Sequence, residues 1–142
     1  MEQRGGKCHV YKCDLTDRED VYAVADRVKS EVGTVDILIN NAGIVSGSYF
    51  LDTPDSEFSC CVTEWYDALR TKIKISEKIE LTFKVNALAH FWTIKAFLGD
   101  MMARRSGHIV SVTSAGGYTG MYKLADYCSS KFAAVGLHES LQ

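Results

Sequence analysis

The chain has 142 residues, 46% of them apolar and 24% charged, which suits one ordinary globular domain with a real core. A net charge of −2 with no Lys/Arg block argues against a nucleic-acid partner. Cys8, Cys13, Cys60, Cys61 and Cys128 form no Cys-x-x-Cys pair and the four histidines are scattered, so the expectation is an intracellular, reducing compartment without a metal site.

Residues 1–6 are polar and end in a Gly5-Gly6 turn; no helix opens behind it, so it is not a phosphate loop. Lys7 to Cys13 alternates like a short strand. Thr16 with Glu19 three later forms a capping box. Val21, Val24, Val28 and Val32 then recur at helical spacing, and Gly33 ends that helix. Val35 to Ile39 is an apolar run interrupted only by Asp36, the mark of a strand covered on both faces. Asn40-Asn41-Ala42-Gly43 follows at once, a turn whose small residues let a ligand approach the backbone.

Ile44 to Ser56 reads as a surface loop holding the only proline, Pro54. In the next stretch Thr63 to Lys72 has helical residues, Lys72 to Ile75 alternates like a strand, and Cys60-Cys61 is too tight for a metal site. Glu77 to Arg105 reads as one long helix with Phe83, Ala87, His90, Phe91, Ile94, Phe97, Leu98 and Met101 on its apolar face. Arg104, Arg105 and Gly107 suit its C-terminus. His108 to Thr113 is a second buried strand. Gly116, Gly117 and Gly120 predict a flexible, open loop carrying Tyr118 and Tyr122. Ala133, Ala134, Leu137 and Leu141 mark the buried side of a last helix. No run approaches the ~18 apolar residues of a membrane span.

The chemistry gathers in the last third. On a helix Tyr127 and Lys131, four apart, share a face. A cation beside a phenol favours its phenolate form, which makes Tyr127 a candidate general acid or base. Ser114 lies thirteen positions upstream (127 − 114), where its hydroxyl would hold a substrate oxygen. No Gly-x-Ser-x-Gly elbow surrounds it, so it is not a hydrolase nucleophile. Asp14 ends a strand, where doubly wound sheets bind ligands; the plainer alternative is an Asp that opens the turn before the helix.

Ser114, the Tyr127-x-x-x-Lys131 pair and Asn40-Asn41-Ala42-Gly43 after a buried strand together resemble the short-chain dehydrogenase/reductase superfamily. Asn86-Ala87-Leu88-Ala89-His90-Phe91-Trp92 and Ala125-Asp126-Tyr127-Cys128 are similar to its branch acting on retinol, steroids and other lipid alcohols. The resemblance implies an α/β fold, a Rossmann-like doubly wound parallel sheet in three layers, incomplete here. It implies an NAD- or NADP-dependent oxidoreductase with Ser114, Tyr127, Lys131 and Asn86 catalytic. Asn86 would hold, by side chain or backbone, a water linked to Lys131. Asp14, Leu15, Asn40, Asn41, Ala42 and Gly43, with Tyr127 and Lys131, would border the cofactor. Ser114 would also contact the substrate, a lipid alcohol or carbonyl compound.

By the same resemblance, 46 positions (86 − 40) between Asn40 and Asn86 are about twenty too many. The excess, near residues 57–76, reads as an inserted lid or partner site, or as a splicing or gene-model irregularity. The opening strand and Gly-rich turn would precede Met1 and further strands would follow Gln142, so the chain reads as a single partial domain. The full-length enzyme would sit at the endoplasmic reticulum membrane or lipid droplet. Homo-oligomerisation through the long helix and the Tyr127 helix is expected. The alternative is an inactive shortened form that pairs with full-length subunits.

Overall fold

A computed structural model describes residues 6–45 and 75–141, with side chains in the second stretch from residue 78 onward. The expected Pro54 loop, Cys60, Cys61 and most of the 57–76 segment lie outside the described residues. The helix expected from Glu77 already begins at Ile75, the last residue of the strand-like stretch expected before it.

Helix α1 spans Arg18–Glu31. Its cap is Asp17, not Thr16, and Asp17 Oδ1 accepts from Glu19 N–H at 2.9 Å. Thr16 is diverted: both its N–H and its hydroxyl donate to Asp14 Oδ1, at 2.9 and 2.7 Å. The carboxylate of Asp17 suits the positive end of the helix dipole as well as its free N–H groups. Gly33, at φ 108°, closes the far end by donating to Val28 O at 3.2 Å. Val21 and Ala25 form the buried face. Residues 7–13 run without a ladder partner among the described residues, against the strand expected there. A strand exists only through its neighbour's hydrogen bonds. This stretch is held instead by Tyr11, whose hydroxyl donates to Glu31 at 2.8 Å under the Arg27 guanidinium.

Strands β1 (Ile37–Asn40) and β2 (His108–Ser111) pair in parallel, Ile37 opposite His108 and Asn40 opposite Ser111. Parallel strands need a crossover, and the long helical segment supplies it. Leu38 and Asn40 face that segment. Ile37 and Ile39 point the other way and are 60% and 59% exposed, so β1 is covered on one face and not, as expected, on both. The second strand is two residues shorter than expected. Val112 N–H still donates to Asn40 O at 2.8 Å, but the chain then turns at Ser114.

The described part of the crossover consists of α2 (Ile75–Phe83), a π-helical turn (Lys84–Leu88) and α3 (Ala89–Ala103). It buries Thr82, Asn86, Ala87, Ala89, His90, Ile94 and Met101, whereas Phe91 is exposed. Lys29 bridges Asp100 at 3.0 Å and ties α1 to α3. Arg105, at φ 51°, and Ser106 close α3 by donating to Met102 O and Met101 O. Arg104 reaches Asp36 Oδ1 at 2.5 Å and Val35 O at 2.6 Å, anchoring α3 to the entry of β1.

Ala115–Gly117 form a 3-10 turn, and α4 spans Ala125–Glu139. Gly116 and Gly117 are buried against α4, so the expected open loop is a packed turn. A Cβ on Gly117 would lie 3.0 Å from Lys131 O, which leaves room only for glycine. The buried side of α4 is Cys128, Ser130, Lys131, Ala134 and Val135. Ala133 and Leu141, expected inside, are exposed, because α4 turns its Lys131 side to the strand ends.

His90 is 2% exposed, and burial, followed by the Lys131 charge, pushes its pKa down from 6.5 to about 4. Between those values the unfolded chain binds a proton that the folded chain refuses. Stability is therefore full above about pH 6.5 and falls by about 3 kcal/mol as pH drops towards 4. Thermal melts across that range should show this slope, and His90→Gln should flatten it.

Candidate active site

The carboxyl ends of β1 and β2 bring the predicted residues together. Beyond β1 the backbone of Asn41, Ala42 and Gly43 is exposed. A Cβ on Gly43 would lie 3.2 Å from Lys131 Nζ and 3.4 Å from Asn86 Oδ1, so the lysine and the asparagine meet over this glycine. Its φ is unremarkable; close approach, not backbone freedom, is what the site asks of it.

Lys131 enters from α4. It is 4% exposed, and burial holds its pKa below the ordinary lysine value. Nζ donates to Val112 O at 3.3 Å, just past the end of β2. The same ammonium lies 5.9 Å from the centre of the Tyr127 ring, one turn earlier on the helix. Tyr127 is half-buried at the start of α4. Ser114 caps the 3-10 turn by accepting from Gly116 N–H at 3.1 Å, so its own O–H remains free to donate elsewhere. That turn is seated on the tyrosine: a Cβ on Gly116 would be 3.3 Å from Tyr127 Cε1. Ser114 is thus a cap at the strand end, and its turn lies beside the tyrosine.

Asn86 is fully buried on the π-helical turn. Its Oδ1 accepts from Ile44 N–H at 2.8 Å, and its Nδ2 donates to Ile44 O at 2.8 Å and Ser130 Oγ at 3.0 Å. All of that side chain is spent on structure. Ser130, itself fully buried, passes the link on by donating to Tyr127 O at 2.7 Å. Sequence reading missed Ser130, since a serine inside a helix carries no signal of its partner. It also missed Thr93, whose hydroxyl donates to Asn40 Oδ1 at 2.7 Å. Asn40 is turned inward and ties β1 to α3.

No hydrogen bond among the described residues links Asp14 or Leu15 to this cluster. Asp14 spends Oδ1 on Thr16, whose two hydrogen bonds hold the carboxyl below the usual carboxylate range. Its N–H donates to Asp20 Oδ2 at 2.5 Å, so its hydrogen bonds run to its own turn and to α1. A cavity of about 530 Å³ between Met101, Gly107, His108 and His138 lies at the opposite end of β2 and takes no part. Among the described residues no three His, Cys, Asp or Glu side chains gather as metal ligands.

The exposed Asn41–Gly43 turn, with the Lys131 ammonium set close over Gly43, fits the sugar side of a dinucleotide. Substituting Asn86 by Ala removes three buried hydrogen bonds and should cost about 2–4 kcal/mol in urea unfolding. A loss under about 1 kcal/mol would show that Asn86 does not clamp the site.

The family model for short chain dehydrogenase matches residues 1–142. The human epidermal retinol dehydrogenase 2 is 48% identical over 135 residues, 95% of this chain and 37% of that protein. The bovine short-chain dehydrogenase/reductase family 16C member 6 is 46% identical over 140 residues, 99% of this chain and 38% of its own length. Human estradiol 17-beta-dehydrogenase 11 is 45% identical over 137 residues, 96% of this chain and 39% of its length. The chain thus spans less than two fifths of the curated relatives it matches. Among solved structures, a metagenomic short-chain oxidoreductase in complex with NADP superposes with a TM-score of 0.79 at 27% identity, covering 99% of this chain and 54% of that one. No helix among the described residues is long and apolar enough to cross a membrane. The α/β fold, the parallel strand pair and the full-length family match make this chain a member of the short-chain dehydrogenase family.

Proposed function

We propose that this chain carries the proton-transfer centre of an NAD- or NADP-dependent oxidoreductase that interconverts an alcohol and a carbonyl compound. The observation that carries this reading is the buried Lys131, fixed between Val112 O and Gly43 with its ammonium 5.9 Å from the Tyr127 ring. Ser114 donates its free O–H to the substrate oxygen and holds it in place. Tyr127 moves the proton between its phenol oxygen and that same oxygen. The charge of the buried Lys131 steadies the negative charge that develops on the phenol oxygen. Ser130 and Asn86 fix the pitch of α4 and so the aim of Tyr127. Asn41, Ala42, Gly43 and Lys131 would hold the nicotinamide cofactor, which supplies the hydride chemistry. A lipid alcohol is the favoured substrate class, because relatives on either side bear the names retinol and estradiol dehydrogenase.

The test is a fluorescence titration with NADH and with NADPH, followed by turnover of retinol and estradiol. Saturable binding of one cofactor is expected. Tyr127→Phe should keep that binding and lose at least ~100-fold in turnover. Turnover that survives in Tyr127→Phe would remove the tyrosine from this role, and binding of neither cofactor would end the reading for this chain.

A second reading, a dimerisation module, is favoured by Leu88, Phe91 and Phe132, which are large, apolar and exposed on the π turn, α3 and α4. Sedimentation should then give a dimer that Phe91→Glu converts to monomer; a monomeric wild type rules this reading out.

A further inference from the structure

Behind Lys131 lies a second set of polar groups that the catalytic reading does not use. Asn40 Nδ2, Ser111 Oγ and both ring nitrogens of His90 are buried, and no protein group among the described residues hydrogen-bonds them. Asn40 and Ser111 are register partners on adjacent parallel strands, so their side chains project from the same face, about 5 Å apart. That face is the one α3 covers, because Thr93 reaches Asn40 Oδ1 at 2.7 Å. His90 stands three residues before Thr93 and four after Asn86, on the same inward side of the helix. Lys131 Nζ donates to Val112 O, the residue after Ser111, and meets Asn86, one turn before His90, over Gly43.

Buried polar groups in native proteins are almost always paired, with protein or with ordered water. A buried water makes two to four hydrogen bonds and needs a polar, roomy site. Here Asn40 Nδ2 offers donors, Ser111 a donor and an acceptor, and a neutral imidazole one of each. We propose that Asn40, Ser111 and His90 form a buried water-binding site behind Lys131, holding one or more ordered waters that fix the imidazole in a single neutral tautomer. The ligand class is water, and the site would stand whether or not the chain is active. Its consequence is local: the inner side of the ammonium meets an oriented neutral dipole rather than a second cation.

The experiment uses Ser111→Ala, a small change outside the proton-transfer group, together with a high-resolution crystal structure of the chain. If the hydroxyl binds water, its removal strands a hydrogen-bonded solvent and lowers Tm by about 3 °C. If it is a true orphan, its removal relieves a penalty and Tm rises or holds. The crystal should show solvent density within hydrogen-bonding distance of His90, and nitrogen-15 NMR should show one histidine tautomer. A raised or unchanged Tm, a dry pocket, or a mixture of tautomers at His90 would each overturn the proposal.

Discussion

Asn86 has a side chain with donors and an acceptor, no exposure at all, and three protein partners that satisfy it. Those partners belong to the turn after β1 and to α4, while Asn86 itself sits on the crossover helix. One amide therefore sets the spacing of three elements whose ends make the site. Each bond is ordinary in strength, but none can be replaced by water in so dry a place, so the loss of one is felt in full. Ser130 extends the same link to the carbonyl of Tyr127, and the pitch of the tyrosine helix follows from it.

The site itself is an arrangement of approach distances. Gly43 lets Lys131 and Asn86 meet over β1. Gly116 lets the Ser114 turn sit on the Tyr127 ring, and Gly117 lets that turn touch the α4 backbone. The exposed sheet face at Ile37 and Ile39 stands in contrast to this packed end of the strands. The close approaches at Gly43, Gly116 and Gly117 gather where the proposed chemistry lies.

Most of the elements were legible in the chain. The valine spacing marked α1, the apolar run from Val35 marked β1, and the long periodic stretch marked the crossover, because periodicity reports which face is buried. The errors share one cause. Thr16 lost the cap to Asp17 because Asp14 captured its hydroxyl. Residues 7–13 carried a strand pattern without a ladder partner among the described residues. The glycines after Ser114 were read as freedom, when their smallness serves contact with α4. In each case a neighbour distant in sequence, or a rival hydrogen bond, decided between two locally acceptable states.

The same division holds at the site. The sequence alone determined its residue types and spacing: Tyr127 and Lys131 on one helical face, Ser114 after a strand, and the Asn40–Gly43 turn. Helical periodicity and the family wording are local properties, so they survive in one dimension. Only the tertiary structure decided that the side chain of Asn86 is spent on Ile44 and Ser130, that Asn40 faces α3 rather than the open turn, and that Asp14 is occupied by its own turn. It alone buried the polar atoms of Asn40, Ser111 and His90 away from any hydrogen-bonding protein group among the described residues. Hydrogen-bond partners 42 to 53 positions apart in the chain leave no local pattern, because the geometry that pairs them exists only once the elements have packed.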